Sequence, residues 1–326
     1  MNRMLNGLAL ALGCAATLLT MPVAAQEYPN RPIKIQVPFG PGGATDVLAR
    51  LVGDELAARL GQPVISENRP GASTGVAASY VAKAKPDGYT LLLSTPTHSI
   101  NAAASSNLPF DAMKDFEFVG KIGQIGFVLM ASPQLQVTDL KGLVALGLRD
   151  PRRLKYASSG LNAQGHLWTE SFMRETKVQA LHVPYKGETQ ALTDLLGGQV
   201  NLFLCTFTVC GQRMNDGTLV PLVVTTASRH PQAPNVPTIA EAGYPKAEMN
   251  WWAFLAAPRG TPPSVIERLN SAINAMLADD KVKTKLAALG IEPEARTSPA
   301  ATQALVGSEV ERWRSSIVKV SSGEAN

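Results

Sequence analysis

Ile33-Lys34-Ile35-Gln36-Val37-Pro38-Phe39-Gly40-Pro41-Gly42-Gly43-Ala44-Thr45-Asp46 is the stretch on which the fold turns. Its β-branched start reads as a buried strand running from Ile33 to Phe39, and the Gly/Pro cluster after it as a tight turn. Val47, Leu48, Leu51, Val52 and Leu56 then recur at helical spacing until Gly61 stops the pattern. Strand, glycine turn and helix in that order form the opening of a βαβ unit. Val64-Ile65 and Thr90 to Leu93 supply the next strands, the latter entered through the Pro86-Asp87-Gly88 turn. Phe127 to Ala131 reads as a buried strand leading out of this first unit.

The same grammar begins again at Leu154. Lys155-Tyr156-Ala157 reads as a strand, followed by a polar turn and a helix around Gln164 to Arg174. Strand Ala180 to Val183, helix Thr189 to Leu196, and strands Val200 to Leu204 and Val220 to Thr225 follow. A Pro- and Asn-rich loop (Pro231 to Pro237) separates these from a strand at Trp252 to Ala256, a helix at Ser264 to Ala278 and a helical tail around Ala300 to Val318. Alternating strands and helices predict two α/β, Rossmann-like lobes, and strands crossing between them place a binding cleft at the centre.

Two turns carry the chemistry. In the first, Phe39, Gly40, Gly42, Gly43, Ala44, Thr45 and Asp46 sit where a strand ends and a helix starts. Glycines let a ligand approach the backbone, and the first helical amides have no partner within the helix. Such an end attracts anions. The Lys-Ser/Thr pair of a phosphate-binding loop is missing, and the plainer reading is a tight turn with Thr45 or Asp46 as cap. Asp46 would repel a carboxylate and is expected to orient the loop. The second turn, Ser158-Ser159-Gly160-Leu161-Asn162-Ala163-Gln164-Gly165-His166, repeats the arrangement. Asn162 suits a positive φ or a helix cap, and the serines bring donors. His166, in the first helical turn, reads as a structural histidine or a ligand contact.

A rival signal is Gly71-Ala72-Ser73-Thr74-Gly75, which matches the Gly-x-Ser-x-Gly pattern of a serine hydrolase. An elbow serine leaves a strand directly, whereas Arg69-Pro70 interrupts any strand from Ile65, and too few residues precede Ser73 to build the flanking sheet. A glycine-rich turn opening a helix is the simpler reading, with a secreted esterase using Ser73 as the alternative. His98, His166, His182 and His230 are scattered without metal-ligand spacing, so no metal and no cofactor is expected.

The ends and the composition set the compartment. Arg3 and the apolar run Leu5 to Leu19, followed by Val23-Ala24-Ala25, read as a signal peptide over residues 1–25, with Gln26 as the mature N-terminus. Cys14 lies inside the apolar run behind a poor lipobox, which argues against lipidation. Later apolar stretches are too short to span a bilayer. The remainder of the 326-residue chain exceeds one compact core, which again predicts two lobes. Cys205 and Cys210, five apart, would point away from each other on a helix, so two buried unpaired thiols are expected. A net charge of +4, without a basic run and with 6% aromatics, argues against nucleic acid.

The turns and junctions together resemble the solute receptors of tripartite tricarboxylate transporters, the Bug family. The resemblance runs through Arg31-Pro32-Ile33, Val37 to Gly43 with Asp46, Ala49 and Arg50, Glu67 to Ala72, and Pro86 to Leu91. It continues in Val183-Pro184-Tyr185-Lys186-Gly187, Asp194 to Val200, Val236-Pro237-Thr238, Glu241-Ala242-Gly243 and Ala257-Pro258. It implies a type II periplasmic-binding fold, with lobe 1 over residues 26–125 plus 250–300, lobe 2 over 126–249, and a helical segment at 301–326 of open allegiance. It also implies a periplasmic, monomeric receptor without catalysis that passes a small organic carboxylate to membrane subunits. The family's ligand loops match Phe39 to Asp46 and Ser158 to His166, and the expected ligand set adds Thr95, Thr97, His98, Tyr185 and Cys205.

Departures from the family pattern bear on the ligand. Asn162 stands where Gly is usual, Ala163 where a hydroxyl residue is common, Asn201 and Cys205 where Asp is frequent, and Ser73 where Gly is usual. A less polar pocket follows. With Phe39, Leu161, Phe207 and Trp252 expected nearby, an aromatic or otherwise apolar-bodied carboxylate is the favoured ligand.

Overall fold

In the computed structural model, residues 28–105 and 107–322 are described. The expected signal peptide lies outside them. The opening stretch forms β1 (Ile33–Val37), running into α1 (Ala44–Leu60). The helix buries Leu48, Val52, Leu56 and Leu60 at four-residue spacing. It ends where Gly61 takes φ 71°, and its amide closes on the Ala57 carbonyl. β2 (Val64–Asn68), α2 (Gly75–Ala82), β3 (Thr90–Ser94) and α3 (Pro96–Ala104) complete the first unit. β2, β1 and β3 pair in parallel, in that order.

β4 (Phe116–Ala131) then joins the two halves of the molecule. From Phe116 to Gly126 it runs antiparallel to β9 (Asn250–Pro258), which itself lies antiparallel to β3. From Phe127 to Ala131 the same strand pairs with β7 (Leu202–Thr206) and β8 (Val220–Val224). Beyond β7 the order continues through β5 (Lys155–Ser158) to β6 (Leu181–Pro184), in parallel. This second half carries α4 (Leu140–Arg149), α5 (Gln164–Thr176), α6 (Glu188–Leu196) and α7 (Phe207–Asn215). The chain closes with α8 (Pro263–Ala278), α9 (Asp280–Ala288), the short β10 (Glu292–Pro293) beside β4, and α10 (Pro299–Ser322). The tail helix packs on the first half, where the Ser99 hydroxyl donates to the Val306 carbonyl at 3.3 Å. No described helix is long and apolar enough to cross a membrane.

Strand alternation divides the core. Trp251, Ala253 and Leu255 join the main cluster, whereas Trp252, Phe254 and Ala256 point the other way, into a second cluster with Phe116, Phe118 and Val306. His98 belongs to that second cluster too. It is fully buried, 5.3 Å from the ring of Phe116, 5.7 Å from Phe254 and 5.8 Å from Phe110.

The expectation of free thiols is corrected. Cys205 and Cys210 form a disulfide with a Cα–Cα separation of 6.2 Å, inside the usual range. The spacing argument assumed one helix. Instead Cys205 ends a strand and Cys210 lies on α7, which folds back over it.

Candidate functional site

Five strand-to-helix junctions meet at a narrow recess that opens to solvent. The first half contributes Phe39, Gly43, Ala44, Thr45 and Thr97. From the second half come Ser159, Gln164 and Gly165 at the start of α5, Glu188 at the start of α6, and Leu204 and Thr206 at the end of β7. Phe127, where β4 passes between halves, and Trp251 of β9 close the wall.

The Phe39–Asp46 turn is built from inside. Asp46 is buried on the first turn of α1, and its Oδ2 accepts from the Gly42 amide at 2.9 Å. Arg50 donates to both carboxylate oxygens, at 3.0 and 3.1 Å. Asn68 Nδ2 donates to Asp46 Oδ1 at 2.9 Å and to the Phe39 carbonyl at 3.0 Å, tying the turn to β2. Burial would raise the Asp46 carboxyl, but the hydrogen bonds from Arg50, Gly42 and Asn68 outweigh it and hold the group below its ordinary value. Asp46 therefore orients the loop. Gly43, rather than Thr45 or Asp46, occupies the N-cap position and has no side chain to cap with, and the Ala44 amide donates loosely to Glu188 Oε2 from the other half.

The second turn is held differently. Gly160 and Asn162 take φ of 142° and 57°, the latter the left-handed geometry that asparagine tolerates. The Ser158 hydroxyl donates to the Gly160 carbonyl at 3.0 Å and lies 2.7 Å from His182 Nε2, so Ser158 braces the turn behind Ser159. The Asn162 amide donates to His166 Nδ1 at 3.1 Å, and His166 stacks on His182 at 4.1 Å. Ala163 is the N-cap of α5.

Several expected contacts lie elsewhere. Thr95 occupies the N-cap position of α3 without a side-chain cap bond and is fully buried. His98 is in the aromatic cluster, with Nε2 3.0 Å from the Ala112 carbonyl, and burial depresses its pKa to about 4. The Tyr185 hydroxyl donates to Asp194 at 2.6 Å. Cys205 faces away because β7 alternates, leaving Leu204 and Thr206 on the recess. Asn201 bridges strand ends, donating to the Arg153 carbonyl and accepting from the Lys155 amide. Trp251 rather than Trp252, and Phe127 rather than Phe207, supply the aromatic wall. Phe207 stacks on His230 at 3.6 Å, and Leu161 is exposed. The Ser73 hydroxyl donates to the Leu161 carbonyl across the cleft, not to a base.

Glu188 and Gln164 were not among the expected site residues. Glu188 directly follows Pro184-Tyr185-Lys186-Gly187, a third strand–glycine–helix junction of the same kind as the other two, and that repetition was the available signal. Its Oε1 accepts from the Thr206 amide at 3.0 Å, and its Oε2 accepts from the Thr206 hydroxyl at 2.8 Å and, more loosely, from the Ala44 amide at 3.4 Å. Burial raises its pKa, partly offset by those donors. Gln164, 3% exposed, donates Nε2 to the Asn250 carbonyl at 2.8 Å.

Residues 48–321 match the family described as tripartite tricarboxylate transporter family receptor. The chain is 36% identical over 315 residues to the protein BugT of Bordetella pertussis, covering 96% of each. An R. palustris protein solved with adipate shares 39% identity and superposes with a TM-score of 0.85, covering 89% of this chain and 97% of the other. MatC of Rhodopseudomonas palustris, solved with malate, shares 34% identity at a TM-score of 0.83, covering 88% and 99%. The chain thus belongs to the tripartite tricarboxylate transporter receptors of the Bug type, with their two-lobed periplasmic-binding fold.

Proposed function

We propose that this receptor binds a small organic carboxylate in the recess between its halves and delivers it to the membrane subunits of a tripartite tricarboxylate-type transporter. The chain is exported after removal of residues 1–25 and acts in the periplasm as a monomer, without catalysis. Its lobes comprise residues 26–125 with 250–300, and 126–249. One observation carries the reading: the amide ends of α1 and α5, from opposite halves, border the same recess, neither is capped by its own N-cap side chain, and the first amide of α1 reaches Glu188 only loosely. Free helical amides attract carboxylates. Relatives solved with adipate and malate point to the same ligand class. Phe39, Phe127 and Trp251 give the recess an apolar wall for the ligand body.

A thermal-shift panel of aliphatic and aromatic mono- and dicarboxylates tests this. A true ligand at about 100 times Kd stabilises the folded state by roughly 2.7 kcal/mol. If no carboxylate moves the melting temperature, the receptor reading is wrong. Ser73→Ala separates receptor from esterase: a receptor keeps its affinity within about tenfold after losing one hydrogen bond, whereas an esterase loses all turnover.

A further inference from the structure

Two acceptors in the recess lack the partners that burial calls for. Glu188 is 9% exposed, and its partners among the described residues, the Thr206 amide and hydroxyl and the Ala44 amide, are all neutral. Among the described residues, no Lys, Arg or His lines the recess. A buried carboxylate without a cation is costly, and a receptor that retains one holds an uncompensated negative charge. Gln164 Oε1 has no hydrogen-bond partner among the described residues. The amide cannot be flipped to cure this, because Nε2 already faces the Asn250 carbonyl and turning it would set oxygen against oxygen. Helix-start amides that favour an anion therefore share one cavity with a carboxylate that has no cation and an amide oxygen that has no donor among the described residues.

Resting on the carboxylate-receptor reading, we propose that Glu188 and Gln164 select a zwitterionic ligand, a carboxylate that also carries an ammonium group. The carboxylate takes the first-turn amides of α5, which no N-cap side chain holds, rather than the Ala44 amide that donates to Glu188. The ammonium supplies the missing positive charge beside Glu188 and the missing donor to Gln164. A second bare carboxylate in that place meets Glu188 with like charge and is rejected. Positive and negative ends cancel, so the recess needs no Lys or Arg of its own.

Matched ligands that differ only in the amine provide the test. Isothermal titration calorimetry compares 6-aminohexanoate with adipate and hexanoate, and phenylalanine with 3-phenylpropanoate, on the full mature protein. The amine-bearing member of at least one pair is expected to bind roughly tenfold or more tighter, the scale of a hydrogen bond to a charged group. Glu188→Gln keeps the shape and removes the charge. It is expected to erase that preference, with Oε1 still accepting from the Thr206 amide. Gln164→Leu is expected to weaken the amine-bearing ligand and spare its partner. Equal affinities within every pair, or an equal loss for both members in Glu188→Gln, would overturn the zwitterion proposal and leave the carboxylate receptor standing. Failure of all five compounds and of the wider carboxylate panel would overturn both.

Discussion

At the scale of single residues, burial decides which histidine does what. His98 sits among three phenylalanine rings with a pKa pushed down to about 4, chiefly by burial, and His182 is likewise lowered to about 4 by burial and by neighbouring His166. A base whose folded pKa lies below its unfolded value near 6.5 binds fewer protons folded than unfolded between those limits. Stability is therefore complete above about pH 6.5 and falls as pH drops towards 4, by at most about 1.4 kcal/mol per pH unit for each proton. Urea melts of wild type and His98→Gln between pH 4 and 7 check this: the wild-type slope should exceed the variant's. Parallel slopes would remove His98 from the account. His98 enters the expected ligand set only through the family resemblance, and nothing in one sequence says that Phe110, Phe116 and Phe254 close around it. The same blindness accounts for Trp252 and Cys205. Each was one residue out of register, since alternation was legible but the face turned to the cleft was not.

At the scale of elements, the two glycine turns and their helices were legible because turn chemistry and helical spacing are local signals. β4 was half legible. Phe127 to Ala131 reads as a strand, but Gly120, Gly123 and Gly126 break the apolar pattern of its first half. Those glycines answer to neighbours far along the chain. A Cβ on Gly123 would lie 2.6 Å from the Glu292 carbonyl oxygen and 3.0 Å from Ile291 Cγ2, where β10 and its approach press against the strand. No local rule announces such a contact. Gly123→Ala is expected to cost about 1–3 kcal/mol, as overpacking does. Gly61→Ala meets nothing within 4 Å and bears only its φ of 71°, so it should cost about 1 kcal/mol. Chemical denaturation of the two variants separates lost space from lost backbone freedom. If Gly61→Ala proved the more damaging, the close approach of β10 would not be what keeps glycine in β4.

At the scale of the whole molecule, hydrogen bonds cross between the two halves around the recess. The Gly40 amide donates to the Lys186 carbonyl at 3.2 Å, the Thr189 hydroxyl donates to Pro41 at 3.3 Å, and the Ser73 hydroxyl donates to Leu161. Each such bond contributes about 1 kcal/mol net, so a ligand that bridges the halves can outweigh their sum. If a closed form held this lightly coexists with open ones, the apparent affinity is the intrinsic one scaled by the closed fraction. Ser73 makes the test selective, because its hydroxyl crosses the cleft without lining the recess. Ser73→Ala should weaken every ligand by the same few-fold factor, unlike Glu188→Gln, which discriminates between them. Small-angle scattering should show wild type contracting on saturation and Ser73→Ala starting more open but reaching the same bound size. A radius that ligand leaves unchanged would mean that the halves are locked before binding, and the affinity of Ser73→Ala would then equal that of wild type.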